Sequence, residues 1–253
     1  MLKAILFDLD NTLISWGEFF GHWQDIEMTH LQGVYRYFCE VGEPSMDFDA
    51  LMEHYSQRTK AAFEAARETL IAPHIINTLA DISYEIGIPK DKIDKQAIID
   101  AYDWHAMKEV SVFPDVFEAL TILRDRGLRF GIVTNSAHPM ILRDVEMDDF
   151  GLLEYFPECR FAAADVGYFK PHPSIFQVAL DCLGITAEDT IFIGDNLRSD
   201  IFGAQQMGMK AVLRDVGENR LAPQHTADIV PDATIKSLLE LPAIIDEWFP
   251  NGK

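Results

Sequence analysis

Short apolar runs that end in polar residues recur three times along this chain, and helical patterns separate them. The runs cover residues 3–7, 130–133 and 190–193, and their apolar residues hardly alternate with polar ones. Such runs are typical of strands that are covered on both faces in a parallel sheet. The order of runs and helical patterns therefore predicts an α/β fold with a Rossmann-like, doubly wound, mostly parallel sheet, which binds ligands beyond the carboxyl ends of its strands.

The helical pattern before each of the two later runs ends at a glycine, Gly127 in one case and Gly184 in the other. Glycine is a common helix terminator because it adopts the left-handed conformation without strain. Further along, residues 209–213 and 229–230 are predicted as short strands. A last helical stretch is predicted from Thr234, with a break at Pro242.

Residues 14–107 have a different pattern, with helical periods and no strand-like run. One apolar stripe runs through residues 51, 55, 62, 66 and 70, and a second runs through residues 75, 79, 82 and 86. Both follow the spacing of an amphipathic helix. We therefore expect an all-α helical cap domain at residues 16–107, inserted into an α/β core formed by residues 1–15 and 108–253.

Composition narrows the possible partners and the compartment. The 253 residues are 48% hydrophobic, which suffices for a substantial core, and the net charge of −20 opposes nonspecific binding to nucleic acid or anionic membrane. No apolar stretch is long enough to span a bilayer, and the first residues do not resemble a signal peptide. The three cysteines show no paired spacing, so we expect reduced thiols, neither a disulfide framework nor a zinc site, and a cytoplasmic protein.

Two carboxylates, Asp8 and Asp10, follow the first apolar run. They would repel each other at the edge of the sheet unless a cation or a proton lay between them. Carboxylate oxygens suit Mg²⁺, which combines a few of them with water and substrate phosphate oxygens. Asp195 follows the third run and reaches the same edge, so it is predicted as a further ligand.

A metal on the phosphate would leave Asp8 free to attack phosphorus and form an aspartyl-phosphate. Asp10 could then protonate the leaving oxygen and later deprotonate the hydrolytic water. Negative charge on the phosphoryl oxygens requires fixed donors. Lys170, the hydroxyl of Thr134 and the backbone N–H of Asn135 have the required chemistry.

Four motifs in order resemble those of the haloacid dehalogenase superfamily, in particular the phosphatases whose helical cap follows the first strand. They are DLDNTL at 8–13, TNS at 134–136, KPHP at 170–173 and GDNLRSD at 194–200. The resemblance implies that Asp8 is the nucleophile, Asp10 the acid/base, and Thr134 and Lys170 the phosphate-binding pair. It also implies that Asp8, the backbone carbonyl of Asp10 and Asp195 bind Mg²⁺.

Four further positions complete the prediction. Asp200 matches the last acid of the superfamily, which either contacts the metal through water or holds Lys170 in place. Asn11 stands where many relatives have glycine, and asparagine also tolerates unusual backbone angles. Trp16 and Phe19 at the start of the cap fit either core packing, which their surroundings favour, or a cleft over the organic part of the substrate.

The sequence thus predicts a Mg²⁺-dependent phosphomonoesterase that acts on a small phosphorylated metabolite. A phosphosugar mutase would keep every core residue and differ only in the cap, so it remains open. A haloacid dehalogenase is disfavoured because it needs no acid such as Asp10. A noncatalytic binding protein of the same fold would be expected to have lost Asp8, Asp10 or Lys170, and all three are present.

Overall fold

The computed structural model of the chain describes residues 1–17, 23–217 and 228–250. Its strands are β1 (Ala4–Phe7), β2 (Ile14–Ser15), β3 (Ser111–Val112), β4 (Arg129–Thr134), β5 (Arg160–Ala162), β6 (Thr190–Gly194), β7 (Lys210–Arg214) and β8 (Ala233–Ile235). Six of them form one sheet in the order β5-β4-β1-β6-β7-β8, and every neighbouring pair is parallel. The short strands β2 and β3 form a separate antiparallel pair.

Helices account for most of the remaining structure. They are α1 (Trp23–Val41), α2 (Phe48–Thr69), α3 (Ile75–Glu85), α4 (Lys95–Tyr102), α5 (Val116–Asp125), α6 (Met140–Asp149), α7 (Ala163–Val166), α8 (Pro173–Leu183), α9 (Gly203–Gln206) and α10 (Leu241–Trp248). A π-helical turn, Leu197–Phe202, precedes α9. None of the helices in the described ranges carries an apolar stretch that would cross a bilayer.

Both faces of the large sheet are covered, as the uninterrupted apolar runs predict. Ile5 and Phe7 of β1 belong to the apolar cluster that includes α5 and α10. Ala4 and Leu6 point to the opposite face and belong to the cluster that includes α8 and α9. Since successive strand residues point to opposite faces, a strand buried on both sides has no polar alternation. The predicted fold class is confirmed.

The four helices α1–α4 lie between β2 and β3 in the sequence and form the predicted all-α insertion. The pairing of β2 with β3 brings the two connections between cap and core together. A second contact lies elsewhere, where the N–H of Ala72 donates to the carbonyl of Gly167 and the N–H of Phe169 donates to that of Leu70, at 3.0 and 2.8 Å. The domain limits at residues 16 and 107 stay a prediction.

Two elements near the C-terminus differ from the sequence prediction. Residues 229–230 do not form a strand, and the strand lies instead at β8, where Ile235 is the register partner of Arg214 in β7. The predicted helix from Thr234 is also wrong, because that residue belongs to β8. Pro242 lies in the first turn of α10, where a missing N–H costs nothing, so it begins a helix rather than breaking one.

The expectation of three reduced thiols is also wrong. Cys159, just before β5, forms a disulfide with Cys182 in α8, and the pair is 23 residues apart in sequence. The two cysteines meet because α8 packs on the face of the sheet beside β5. Spacing in the sequence gave no sign of this pairing. Cys39 is free and exposed.

Reduction of this disulfide should lower the free energy of unfolding by about 3 kcal/mol. The bond closes a loop of 23 residues, and a loop of this length removes roughly that much chain entropy from the unfolded state. Urea unfolding of the oxidised and reduced protein measures the difference. The Cys182→Ala variant is the control, since a reductant should not change its midpoint, and equal midpoints for oxidised and reduced wild type would contradict the prediction.

Candidate active site

The predicted site residues meet at the carboxyl edge of the sheet. Asp8 directly follows β1, Thr134 ends β4, and Asp195 directly follows β6. Phe7 is in register with residue 132 of β4 and residue 193 of β6, so the three strands end at nearly the same level. The N–H of Asp8 donates to the carbonyl of residue 193 at 2.8 Å, which ties the start of the loop to β6.

Lys170 reaches the same edge from the loop before α8. Its ammonium Nζ lies 2.6 Å from Asp8 Oδ1, 2.7 Å from Asp200 Oδ1 and 2.8 Å from the carbonyl oxygen of Val133. The side chain of Asn135 fixes the backbone of Lys170, since its Oδ1 accepts from the N–H at 2.7 Å and its Nδ2 donates to the carbonyl at 3.2 Å. Lys170 is therefore held at both its backbone and its charged end.

Three carboxylates converge beside Lys170. Asp8, Asp195 and Asp200 each place an oxygen within 4.8 Å of the others. Gly194 at the end of β6 makes room for Asp200, because a Cβ at this position would collide with the Asp200 carboxylate. Asp200 Oδ2 also accepts from the N–H of Asn196 at 2.9 Å, so its orientation is fixed from inside its own loop.

The carboxylates of Asp8, Asp195 and Asp200 fit the ligand preference of a magnesium ion. All are hard oxygen ligands, and they come from two neighbouring strands and the turn that follows β6. Mg²⁺ prefers a small number of carboxylates and completes its shell with water and phosphate oxygens. The tight turn after Asp10 that shapes this loop is also present, since Asn11 has φ of 59° and its N–H donates to the carbonyl of Ile14.

The electrostatics of the cluster reflect its burial. Burial raises the pKa of Asp8 to about 7, and Lys170 opposes the shift while the neighbouring carboxylates add to it. Burial and the charges of Asp8 and Asp200 raise the pKa of Asp195 to about 8. For Lys170, burial alone would lower the pKa, but Asp200 and Asp8 outweigh it and raise the pKa above its ordinary value. The surroundings therefore stabilise the charged form of Lys170.

Asp10 points away from this cluster. Its Oδ1 accepts from Trp16 Nε1 at 2.7 Å and from Arg143 Nη2 at 2.7 Å, and its Oδ2 accepts from Thr134 Oγ1 at 3.2 Å. Burial would raise the pKa of Asp10, but the Arg143 guanidinium and these hydrogen bonds bring it below the usual value. Both carboxylate oxygens thus have donors.

Arg143 and its neighbour Glu146 were not predicted from the sequence. Both lie on the buried face of α6 together with Met140 and Met147. Arg143 Nη2 is 3.1 Å from Glu146 Oε2, and both side chains are almost completely buried. The spacing of residues 140, 143 and 147 matches a helix face, and this spacing is the only sequence signal that could have revealed two charges inside the core.

Trp16 lies at the site, as the cleft hypothesis expected, yet it is buried, as the packing alternative expected. It is 6% exposed and its indole N–H contacts Asp10. Its role toward a substrate stays a prediction. Phe19, the other residue predicted for the cleft, lies outside the described residues.

A buried histidine connects the cap to this side of the core. His138 Nε2 lies 3.0 Å from the hydroxyl of Tyr102 in α4, and its ring packs on Trp104 at 4.2 Å between centroids. Burial lowers the pKa of His138 to about 3, and the nearby charges of Arg143 and His30 lower it further while Asp10 opposes them. His138 is therefore neutral at physiological pH.

This neutral histidine should make the protein less stable in mild acid. The unfolded chain takes up a proton near pH 6.5 but the folded one does not until about pH 3, so stability falls as pH drops through that window. Between pH 7 and pH 5 we expect a loss of about 2 kcal/mol from this group. Urea unfolding at both pH values should show a smaller loss for His138→Gln than for wild type. The exposed His105→Gln control should not reduce the loss, and an equal loss in His138→Gln would refute the assignment.

A family model for haloacid dehalogenase-like hydrolases matches residues 2–208, and the chain belongs to this family. The sequence-based predictions of the family and of a hydrolase are confirmed. The match covers the inserted helices as well as β1, β4 and β6, at whose ends Asp8, Thr134 and Asp195 lie.

Two phosphatases and one dehalogenase structure are similar to this chain. A ribulose-1,5-bisphosphate 5-phosphatase from Halopiger xanaduensis is 29% identical over 223 residues, which cover 86% of this chain and 87% of the relative. A glyceraldehyde 3-phosphate phosphatase from Methanopyrus kandleri is 30% identical over 255 aligned residues, with 98% of both chains covered. Among solved structures, a 2-haloacid dehalogenase from Pseudomonas syringae pv. Tomato DC3000 matches with a TM-score of 0.63 and 25% identity, covering 98% of this chain and 100% of that one.

Proposed function

We propose that the protein is a Mg²⁺-dependent phosphomonoesterase that hydrolyses a small phosphorylated metabolite through an aspartyl-phosphate on Asp8. The observation that carries the proposal is the position of Lys170, whose ammonium joins Asp8 to Asp200 beside the Asp195 carboxylate. A buried cation between two carboxylates at the edge of a sheet is suited to binding and activating a phosphate group.

The class of the enzyme follows from the family and from the activities of its relatives. The two relatives described above are phosphatases, the class that the sequence motifs predict for this chain. Asp10 agrees with this class, because expulsion of an alcohol from a phosphate ester requires a proton and displacement of a halide does not. The similarity to a dehalogenase structure therefore reflects the shared fold.

In the proposed reaction an oxygen of Asp8 attacks phosphorus and the bond to the alcohol oxygen breaks. Asp10 must carry a proton for the first step, although Arg143 and the hydrogen bonds of its carboxylate favour the ionised form. It gives this proton to the alcohol oxygen and later takes one from the water that hydrolyses the aspartyl-phosphate. Lys170, the Thr134 hydroxyl and the backbone N–H of Asn135 would bind the phosphoryl oxygens. Attack of the water oxygen on phosphorus breaks the bond between phosphorus and Asp8 and releases inorganic phosphate, so Asp8 and Asp10 end in their starting states.

Asp8, the backbone carbonyl of Asp10 and Asp195 would hold the Mg²⁺, with Asp200 beside them. When bound, the ion would supply positive charge to the phosphate oxygens during attack. The cap contact at residues 70–72 and 167–169 lies directly before Lys170, so the inserted helices are well placed to cover a substrate and exclude water.

The substrate proposed is a small phosphorylated metabolite, since both relatives act on phosphorylated compounds of this size. The net charge of −20 disfavours nucleic acid and anionic membranes as partners. A cytoplasmic location stays a prediction. Disulfides such as Cys159–Cys182 are uncommon in a reducing cytoplasm outside hyperthermophiles, so this feature does not support it.

A panel of phosphomonoesters with Mg²⁺ tests the proposal through release of inorganic phosphate. We expect turnover of at least one sugar or triose phosphate, its loss with EDTA, and its recovery when Mg²⁺ is restored. Asp195→Asn should require much more Mg²⁺, whereas the exposed Asp125→Asn control should behave as wild type. Formation of an isomer in place of free phosphate would identify a mutase, and a folded protein inactive on the whole panel would favour a binding protein.

A further inference from the structure

We propose that Arg143 and Glu146 are positioning residues that orient the Asp10 carboxylate toward the oxygen of the leaving group. The inference rests on the proposed function, because it explains the contacts of Asp10, the acid/base of that reaction. It concerns α6, a helix that supplies none of the predicted site residues.

The first observation is the location of the two charges. Arg143 is 3% exposed and Glu146 is fully buried, although both belong to a helix whose other face is open to solvent. Moving an ion pair out of water costs more than its attraction returns in many proteins, and apolar side chains of similar volume would pack as well or better. Packing alone therefore does not account for charged residues at these positions.

The second observation is the direction of the guanidinium. Arg143 Nη2 contacts Asp10 Oδ1 at 2.7 Å and lies 3.1 Å from Glu146 Oε2, so the arginine lies between the two acids. Among the described residues, no hydrogen-bond donor meets the Glu146 carboxylate with good geometry. Glu146 therefore meets Arg143 through the ion pair rather than through a hydrogen bond, and it lies on the same guanidinium nitrogen that contacts Asp10.

The third observation is that the two oxygens of Asp10 differ in their hydrogen-bond donors. Oδ1 has two close donors, Trp16 and Arg143, whereas Oδ2 has one at 3.2 Å, the Thr134 hydroxyl. When Thr134 turns to a phosphate oxygen, Oδ2 is left without a donor. Oδ1 stays fixed by Arg143, and Oδ2 becomes the oxygen that carries the proton.

The proton step then has a defined geometry. As the bond between phosphorus and the alcohol oxygen breaks, the proton on Asp10 Oδ2 moves to that oxygen and the alcohol leaves. In hydrolysis of the aspartyl-phosphate, a water proton returns to Oδ2. Because general acid catalysis depends on donor placement, loss of Arg143 should slow the first step without changing substrate binding.

The dependence on the leaving group provides the test. An alkyl phosphate such as glycerol phosphate needs a proton on its leaving oxygen, whereas 2,4-dinitrophenyl phosphate expels a stable anion without one. We expect Arg143→Met to lower kcat/KM for the alkyl phosphate by about 100-fold and for the dinitrophenyl ester by less than about tenfold. KM should hardly change, and Arg143→Lys should restore part of the loss.

Two variants protect the test against misfolding. Arg143→Met/Glu146→Met removes both buried charges, leaves no unpaired acid at Glu146, and should show the same leaving-group selectivity as the single variant. Arg160→Met breaks the partly buried pair of Arg160 with Asp144, at 2.6 Å, and should leave the ratio between the two substrates unchanged.

The outcomes separate this inference from the proposed function. If Arg143→Met loses equal activity on both substrates, or loses none, the positioning role is overturned. The proposed function would still stand in that case, provided that the wild type releases phosphate. Asp10→Asn is the reference and should show the strongest selectivity; if it shows none, Asp10 is not the acid and the inference falls. Wild type that hydrolyses neither ester would refute the proposed function and this inference together.

Discussion

Replacement of Asp8 by asparagine is expected to abolish phosphate release, with a loss of more than about 10⁴-fold in turnover. The amide cannot attack phosphorus, yet it has the same shape as the carboxylate. Its oxygen can still accept from Lys170, and its nitrogen can donate to the Thr12 hydroxyl that now lies 3.2 Å from Asp8 Oδ2. The fold should therefore be retained.

Steady-state phosphate release measures the loss, and the melting temperature reports folding. The matched control is the exposed Asp125→Asn, which makes the same chemical change in α5 and should keep wild-type turnover. Full Mg²⁺-dependent activity in folded Asp8→Asn protein would rule out the aspartyl-phosphate mechanism.

Replacement of Lys170 by methionine should affect both activity and stability. The ammonium is buried between Asp8 and Asp200, at 2.6 and 2.7 Å, and its removal leaves two buried carboxylates without their cation. Breaking a buried ion pair in this way costs roughly 3 to 5 kcal/mol. Turnover should fall by about 10³-fold or more, because the phosphoryl oxygens lose their charged donor.

A double variant separates these two effects. Lys170→Met/Asp200→Asn removes one of the unpaired charges, so urea unfolding should show that part of the lost stability returns. Turnover should stay as low as in the single variant, because the phosphate-binding charge is still missing. A single variant as stable as wild type would show that the ion pair of Lys170 contributes nothing to folding.

The three central strands β1, β4 and β6, and the sheet edge at which they end, were predictable because their signals are local. A run of apolar residues followed by Asp8 defines both a buried strand and the end at which a ligand binds, and the same holds for residues 130–134 and 190–195. The left-handed turn at Asn11 was equally accessible, since its φ of 59° agrees with what asparagine tolerates. For these features, residues that are adjacent in the sequence are enough to define the local structure.

Other features were missed because they depend on partners distant in the chain. The apolar pair at 229–230 resembles a strand as much as residues 233–235 do, and only the edge of β7 selects the latter. Cys159 and Cys182 carry no paired spacing, and the packing of α8 beside β5 brings them together.

The sequence by itself determined the family and the fold class, and it predicted that Asp8 and Asp195 lie together, because both follow strands that are neighbours in one parallel sheet. Only the tertiary structure decided that Arg143 is buried against Asp10 and that Glu146 lies behind it. The direction of a helix face is set by the packing of α6 on the rest of the core, and no local sequence pattern specifies which distant carboxylate a buried guanidinium will meet.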